Sequence, residues 1–201
     1  MIAIVDYGMG NLRSVSKALE ASGATVTVTQ ECRAIEKASK LILPGVGAFD
    51  DARQNLEKLG LIEPILKAIR GGTPFLGLCL GLQLLFSVSE EGGEHAGFDL
   101  VPGRVRLFPA SGLKVPHIGW NRVTFEKRDC PLLKGIADGS YFYFVHSYYV
   151  DPLDGSVVAA RSSYGIPFTS VLWRENLFAT QFHPEKSQSL GLQLLRNFVA
   201  L

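Results

Sequence analysis

The sequence predicts an α/β protein: a doubly wound mixed sheet with a parallel core and an antiparallel extension, the flavodoxin-like arrangement, in one domain over residues 1–201. Three observations carry this. Short apolar, β-rich runs alternate with helical patterns through the first half, the pattern of parallel strands covered on both faces. From Gly103 onward the pattern changes to closely spaced β-rich pieces, as an antiparallel extension of the same sheet requires. No internal repeat, low-complexity tract or charged or Pro-rich linker divides the 201 residues.

Element by element, Ile2 to Tyr7 is the first strand. After a Gly-rich turn Asn11 caps a helix to about Ser22, with Leu12, Val15, Ala18 and Leu19 on one stripe and Gly23 ending it. Thr25 to Thr29 and Lys40 to Leu43 are the second and third strands, the latter running into Pro44-Gly45-Val46-Gly47. Two helical stretches follow over Asp50 to Arg70, parted near Gly60. Thr73 to Leu78 is a buried fourth strand, and Leu80 to Ser87 repeats its apolar residues at helical spacing. The later β-rich pieces are Val105 to Phe108, Trp120 to Phe125, Tyr141 to Val150, Val157 to Ala160, Phe168 to Trp173 and Leu177 to Phe182. Ser187 caps a last helix from about Gln188 to Ala200.

Composition narrows the function. With 47% hydrophobic residues the chain is long enough for a sizeable core. Twenty basic against nineteen acidic residues leave a net charge of +1, so no field gathers phosphate backbones or anionic lipid, and neither nucleic acid nor membrane is an expected partner. The apolar run Thr73 to Phe86 is interrupted and shorter than the roughly 18 to 20 residues that span a bilayer. The N-terminal run lacks the basic flank and cleavage site of a signal peptide, so a cytoplasmic chain is expected. Cys32, Cys79 and Cys130 are odd in number and far apart, which predicts neither a disulfide framework nor a metal site.

Gly8-Met9-Gly10 follows the first strand, but the third glycine of a dinucleotide fingerprint falls at Arg13 and no acidic residue ends the second strand. No cofactor is expected. Gly77-Leu78-Cys79-Leu80-Gly81, between an apolar strand and a helical pattern, has the form of a nucleophile elbow with cysteine in place of serine. Amides at a helix start favour a thiolate, and that of Leu80 is placed to donate to a developing oxyanion. Taken alone, the pentapeptide serves equally as a small buried thiol. Gln181-Phe182-His183-Pro184-Glu185 supplies the base a thiol needs. Pro184 holds His183 extended, where residues i and i+2 share a side, so Glu185 reaches the imidazole and fixes its tautomer. In isolation it is equally a surface turn. Pro44 to Gly47 would lie beside the elbow with amides free to face an anion, or form an ordinary strand-to-helix turn.

Together, Pro74-Phe75-Leu76-Gly77-Leu78-Cys79-Leu80-Gly81-Leu82-Gln83 and Phe182-His183-Pro184-Glu185 resemble the class I, triad-type glutamine amidotransferases. Asp6 to Leu12, Pro44 to Phe49, Pro116 to Asn121 and Tyr143 to Tyr148 select within that family the glutaminases that serve histidine biosynthesis. The resemblance implies Cys79 as nucleophile, His183 as proton shuttle and Glu185 as its orienting carboxylate. It implies Val46 and Leu80 amides as the oxyanion hole and Gly47, Gln83, Ser147 and Tyr148 as the residues that hold glutamine. Ammonia would pass to a separate (β/α)8 cyclase subunit in a heterodimer, giving imidazole glycerol phosphate and AICAR, because 201 residues leave no room for a barrel as well. Lys186 and Trp120 would face that subunit, Trp120 serving as readily as a core aromatic. The same resemblance keeps two other readings open: an amidotransferase for another synthase, of anthranilate or pyridoxal phosphate, and a non-catalytic module of this fold.

The remaining residues have plainer expectations. His117 and His146 are expected to hydrogen-bond or support structure, His95 to be solvated, and Cys32 and Cys130 to be inert. Alternating aromatics over Tyr141 to Phe144 predict a strand covered on both faces. The glycine-rich Pro44 to Gly47 backbone admits more than one peptide orientation, so the chain alone is expected to be a poor glutaminase until a partner docks.

Overall fold

A computed structural model describes residues 1–110 and 112–201. In chain order the first half runs β1 (Ile2–Val5), α1 (Leu12–Ala21), β2 (Val26–Thr29), α2 (Cys32–Glu36), β3 (Lys40–Gly45), α3 (Phe49–Lys58), α4 (Ile62–Arg70), β4 (Phe75–Cys79), α5 (Leu80–Gln83) and β5 (Phe86–Ser89). Then come β6 (His95–Ala96), β7 (Val101–Leu107), β8 (His117–Arg122), β9 (Thr124–Phe125), β10 (Tyr141–His146), β11 (Tyr148–Pro152), β12 (Val158–Tyr164), β13 (Ile166–Arg174), β14 (Leu177–Thr180) and α6 (Gln188–Val199).

Eight strands form the main sheet in the order β2-β1-β3-β4-β14-β13-β12-β9. The first five are parallel, and β13, β12 and β9 extend the sheet antiparallel, as the sequence predicts. Alternation along each strand divides the apolar side chains between two faces. Ile2, Ile4, Ile42, Leu76 and Leu78 pack with α1 and α6. Ala3, Val5, Leu41, Leu43 and Phe75 pack with α2, α3 and α4. Asn11 caps α1 by accepting from the Ser14 amide, the local interaction that starts this helix.

Ser187 precedes α6 without capping it, its hydroxyl donating instead to the His183 carbonyl at 2.7 Å, and the structure corrects the sequence reading in four further places. The helix expected over Leu80 to Ser87 is a single turn, because Phe86 to Ser89 is drawn into β5, which pairs in parallel with β7. The strand expected over Tyr141 to Val150 breaks at Ser147: β10 pairs with β8 in a two-stranded ribbon, and β11 joins a four-stranded sheet ordered β11-β7-β5-β6. These strands are therefore separate from the main sheet. The ribbon adds Phe142 and Phe144 to the α1/α6 side, and the small sheet adds Phe86, Val105 and Val150 to the other. Third, the ribbon covers one aromatic face only, with Tyr141 55% exposed and Phe142 fully buried. Finally, α2 was not expected; its one buried apolar residue, Ile35, gives too short a pattern to read as a helix.

Candidate active site

Parallel register builds the site. Gly45 lies level with Cys79, and Thr180 with Leu78, on the strands flanking β4. The segments leaving the C-terminal ends of β3, β4 and β14 therefore emerge side by side, where open α/β sheets place ligands. At the elbow Cys79 has a φ of +53°, a strained value for a residue with a side chain. Two glycines permit the turn. A Cβ on Gly77 would meet the Gly81 carbonyl oxygen at 2.6 Å, and one on Gly81 would meet that of Leu43 at 2.0 Å. Gly45 is equally confined, between the Leu80 Cβ and the Tyr7 hydroxyl, each 2.7 Å from where its own Cβ would be. Tyr7 donates to the Pro44 carbonyl at 2.8 Å, fixing the strand just before Val46. Burial, with the Cys79 sulfur second, keeps this phenol strongly protonated.

His183 and Glu185 meet as expected, but not along an extended segment: His183 is extended, and Pro184–Lys186 then turns as 3-10 helix, with the Lys186 amide donating to the His183 carbonyl. His183 Nδ1 stands 2.8 Å from Glu185 Oε1 and both side chains are buried. The carboxylate accepts there, so Nδ1 carries a proton and Nε2 is the nitrogen left for the Cys79 sulfur. Nε2 makes no hydrogen bond of ordinary geometry. Burial opposes a charged imidazole, but the Cys79 sulfur and the Glu185 carboxylate outweigh it and raise the His183 pKa to about 10. The thiol itself is 3.9 Å from the Val145 carbonyl and accepts from Gln181 Nε2 at 3.6 Å. A sulfur beside an imidazole that favours its charged form, with an amide donor on the same sulfur, is the arrangement of a cysteine–histidine pair suited to nucleophilic chemistry.

A cleft of about 380 Å³ opens over the sulfur, lined in part by Val46, Gly47, Gln83, Ser147, Tyr148 and Lys186 together with Cys79, Leu80 and His183. All four residues expected to hold glutamine thus reach it. Gln83 donates to the Tyr148 carbonyl at 3.2 Å and to Gln181 Oε1 at 3.4 Å. Trp120 lies outside the cleft wall and is 46% exposed, so it is a surface residue rather than a core one. Its ring and that of Tyr143 meet edge to face with centroids 6.2 Å apart, and Lys186 Nζ stands 5.9 Å from the Tyr143 ring.

Three features escaped the sequence. Gln181, fully buried, bridges Gln83 and the sulfur; its only signal is its place two residues before His183. Glu91 lines the cleft and caps α3 by accepting from the Phe49 amide at 2.9 Å, a contact between residues 42 apart. His95, expected in solvent, pairs with Asp50 at 3.1 Å. Cys130 is buried, and burial raises its thiol to about 11, away from reactivity. Among the described residues no cluster of His, Cys, Asp and Glu could hold a metal ion, and no helix is long and apolar enough to cross a membrane.

An elbow cysteine, a histidine and a glutamate at the ends of adjacent parallel strands define a class, and the family profile described as glutamine amidotransferase class-I matches residues 3–201. The chain belongs to this family. Its similarity is narrower still: it is 53% identical to the imidazole glycerol phosphate synthase subunit HisH of Syntrophotalea carbinolica, over 98% of each chain. It is 55% identical to that of Moorella thermoacetica, covering 98% of this chain and 93% of the other. Among solved structures, one described as a glutamine amidotransferase superposes with a TM-score of 0.77 at 20% identity, over 100% of this chain and 98% of the other. PurLQS from Thermotoga maritima does so with 0.74 at 18% identity, over 99% and 97%. At such identities these last two bear on the fold alone.

Proposed function

We propose that this chain, as one domain acting in the cytoplasm, is the glutaminase subunit of an imidazole glycerol phosphate synthase and supplies ammonia to a cyclase subunit. The observation that carries this is the pair Cys79 and His183 lining a cleft large enough for an amino acid, with Glu185 buried behind the imidazole, in a chain more than half identical to subunits of that name.

In this reading His183 Nε2 takes the thiol proton and Sγ attacks the side-chain carbonyl carbon of glutamine. The amides of Val46 and Leu80 hold the resulting oxyanion, where fixed donors outperform water. The C–N bond breaks as the imidazolium gives its proton to the leaving nitrogen, releasing ammonia and a glutamyl thioester. Water, deprotonated by the same nitrogen, then cleaves the thioester to glutamate and restores the thiol. Glu185 keeps the proton on Nδ1 throughout. Gly47, Gln83, Ser147 and Tyr148 bind the amino-acid portion, and Trp120 and Lys186, joined through Tyr143, face the cyclase. Val46 is 39% exposed in a loop whose Gly47 has a φ of +93°, so that partner can set the hole's final geometry.

Glutamate release by the chain mixed with a cyclase subunit and its ligand tests the reading. Cys79→Ala is expected to abolish turnover, a loss of about 10³-fold or more, and wild-type release by this variant would overturn the triad.

A further inference from the structure

We infer that His117 and His146 form a neutral, tautomer-locked bridge that sets the backbone of the glutamine pocket, making both positioning residues for the chemistry at Cys79. The inference deepens the glutaminase reading and rests on it for the identity of the substrate.

The direction of every bond in the bridge follows from chemistry. His146 Nδ1 is 2.8 Å from the Tyr148 carbonyl, which only accepts, so this nitrogen carries a proton. His146 Nε2, 2.9 Å from His117 Nδ1, is then the acceptor, and His117 Nδ1 is the donor. His117 Nε2 is left to accept from the Asn121 amide at 3.2 Å. That amide spends its other hydrogen on the Ser163 carbonyl at 2.9 Å, and its oxygen accepts from the Arg122 amide at 2.8 Å. The line Asn121 to His117 to His146 to Tyr148 therefore admits one arrangement of protons.

Its surroundings hold it there. His117 and His146 are buried among Phe108, Phe144, Phe168 and Tyr164, whose ring stacks on His117 at 4.1 Å. An apolar shell of this kind disfavours a charged imidazole. A phenylalanine pair would fill the volume, so packing alone does not call for two imidazoles; a fully satisfied buried network fixes geometry. What it fixes is the Tyr148 carbonyl, which also accepts from Gln83 Nε2, whose neighbour Gln181 donates to the Cys79 sulfur. Ser147 and Tyr148, at the break between β10 and β11, wall the cleft.

Nitrogen-15 NMR of the full chain reads the bridge directly. Both imidazoles are expected to be neutral with the proton on Nδ1 between about pH 6 and 8, the form opposite to that favoured by free histidine. A proton on Nε2 of either ring, or a charged ring, would overturn the inference. In the mixture with cyclase, His146→Phe is expected to raise the KM for glutamine about tenfold while kcat stays within about threefold. His146→Asn, whose side-chain NH2 takes the place of Nδ1, should restore KM to within about threefold of wild type. An unchanged KM in His146→Phe, or equal impairment in both variants, would sink the positioning role. Should His146→Phe fail to fold, the NMR pattern decides alone. A wild-type mixture that released no glutamate would instead remove the glutaminase reading and leave the proton pattern standing.

Discussion

One wall of the cleft is made by β3, β4 and β14, parallel strands whose register alone brings Gly45, Cys79 and Thr180 to neighbouring levels. The facing wall, where the β8–β10 ribbon gives way to β11, gets its shape from side-chain hydrogen bonds among His117, His146 and Asn121. The first wall tolerates no extra atom, since backbones at Gly77 and Gly81 already touch their neighbours. The second has room, with nothing within 4 Å of where a Cβ on Gly119 would be. Position around Cys79 can thus come from backbone contact or from polar satisfaction, and the two fail differently when disturbed.

The largest effect expected separates them by sterics. Gly81→Ala should cost about 3 kcal/mol, because the backbone it strikes has nowhere to go. Gly119→Ala, opposed only by its φ of +131°, should cost about 1–2 kcal/mol. Urea unfolding measures both, and equal losses would break the distinction.

Proton linkage sharpens it next, because the two walls respond to pH with opposite sign. Burial lowers the His146 pKa to about 3, despite the bond to the Tyr148 carbonyl that favours its proton. As pH falls below the unfolded value near 6.5, the unfolded chain takes up the proton first and the fold weakens, on the order of 2–3 kcal/mol by pH 4.5. His183, raised to about 10, contributes fully below 6.5 and loses that contribution as pH rises toward 10. Unfolding free energies across this range should flatten on the acid side in His146→Phe and on the alkaline side in His183→Asn. Reversal of either would contradict the assignment.

The smallest effect belongs to the ribbon's outer face. Trp120→Ala should change the stability of the chain alone by less than about 1 kcal/mol, since the indole is half exposed and touches chiefly the edge of Tyr143. Thermal unfolding checks it; a large loss would mean that the outer face holds the ribbon together.

The same contrast explains what could be read beforehand. The parallel wall was legible because continuous apolar strands, glycines at fixed offsets and the short spacing of His183 and Glu185 are local signals, and His183 meets Glu185 beside Cys79 even though Pro184–Lys186 turns as 3-10 helix rather than running extended. The opposite wall was not, because its bonds join residues 29 apart, as between His117 and His146, or 65 apart, as between Gln83 and Tyr148. His117 and His146 could be given a supporting role but not a shared bond. Leu80 and Leu84, with the neighbouring Leu85 and Phe86, recur at helical spacing for a different reason: each is buried, and β7, contributed from further along the chain, decides that Phe86 is extended.

The backbone at Cys79, with φ +53° and ψ −104°, is one in which glycine would rest more easily than any residue with a Cβ. Breeding this scaffold for heat tolerance alone would therefore reward loss of the thiol and, on the role proposed for Cys79, give a sturdier and inert molecule. Any such campaign needs a turnover screen in every round, or it will select against the atom for which the turn is made.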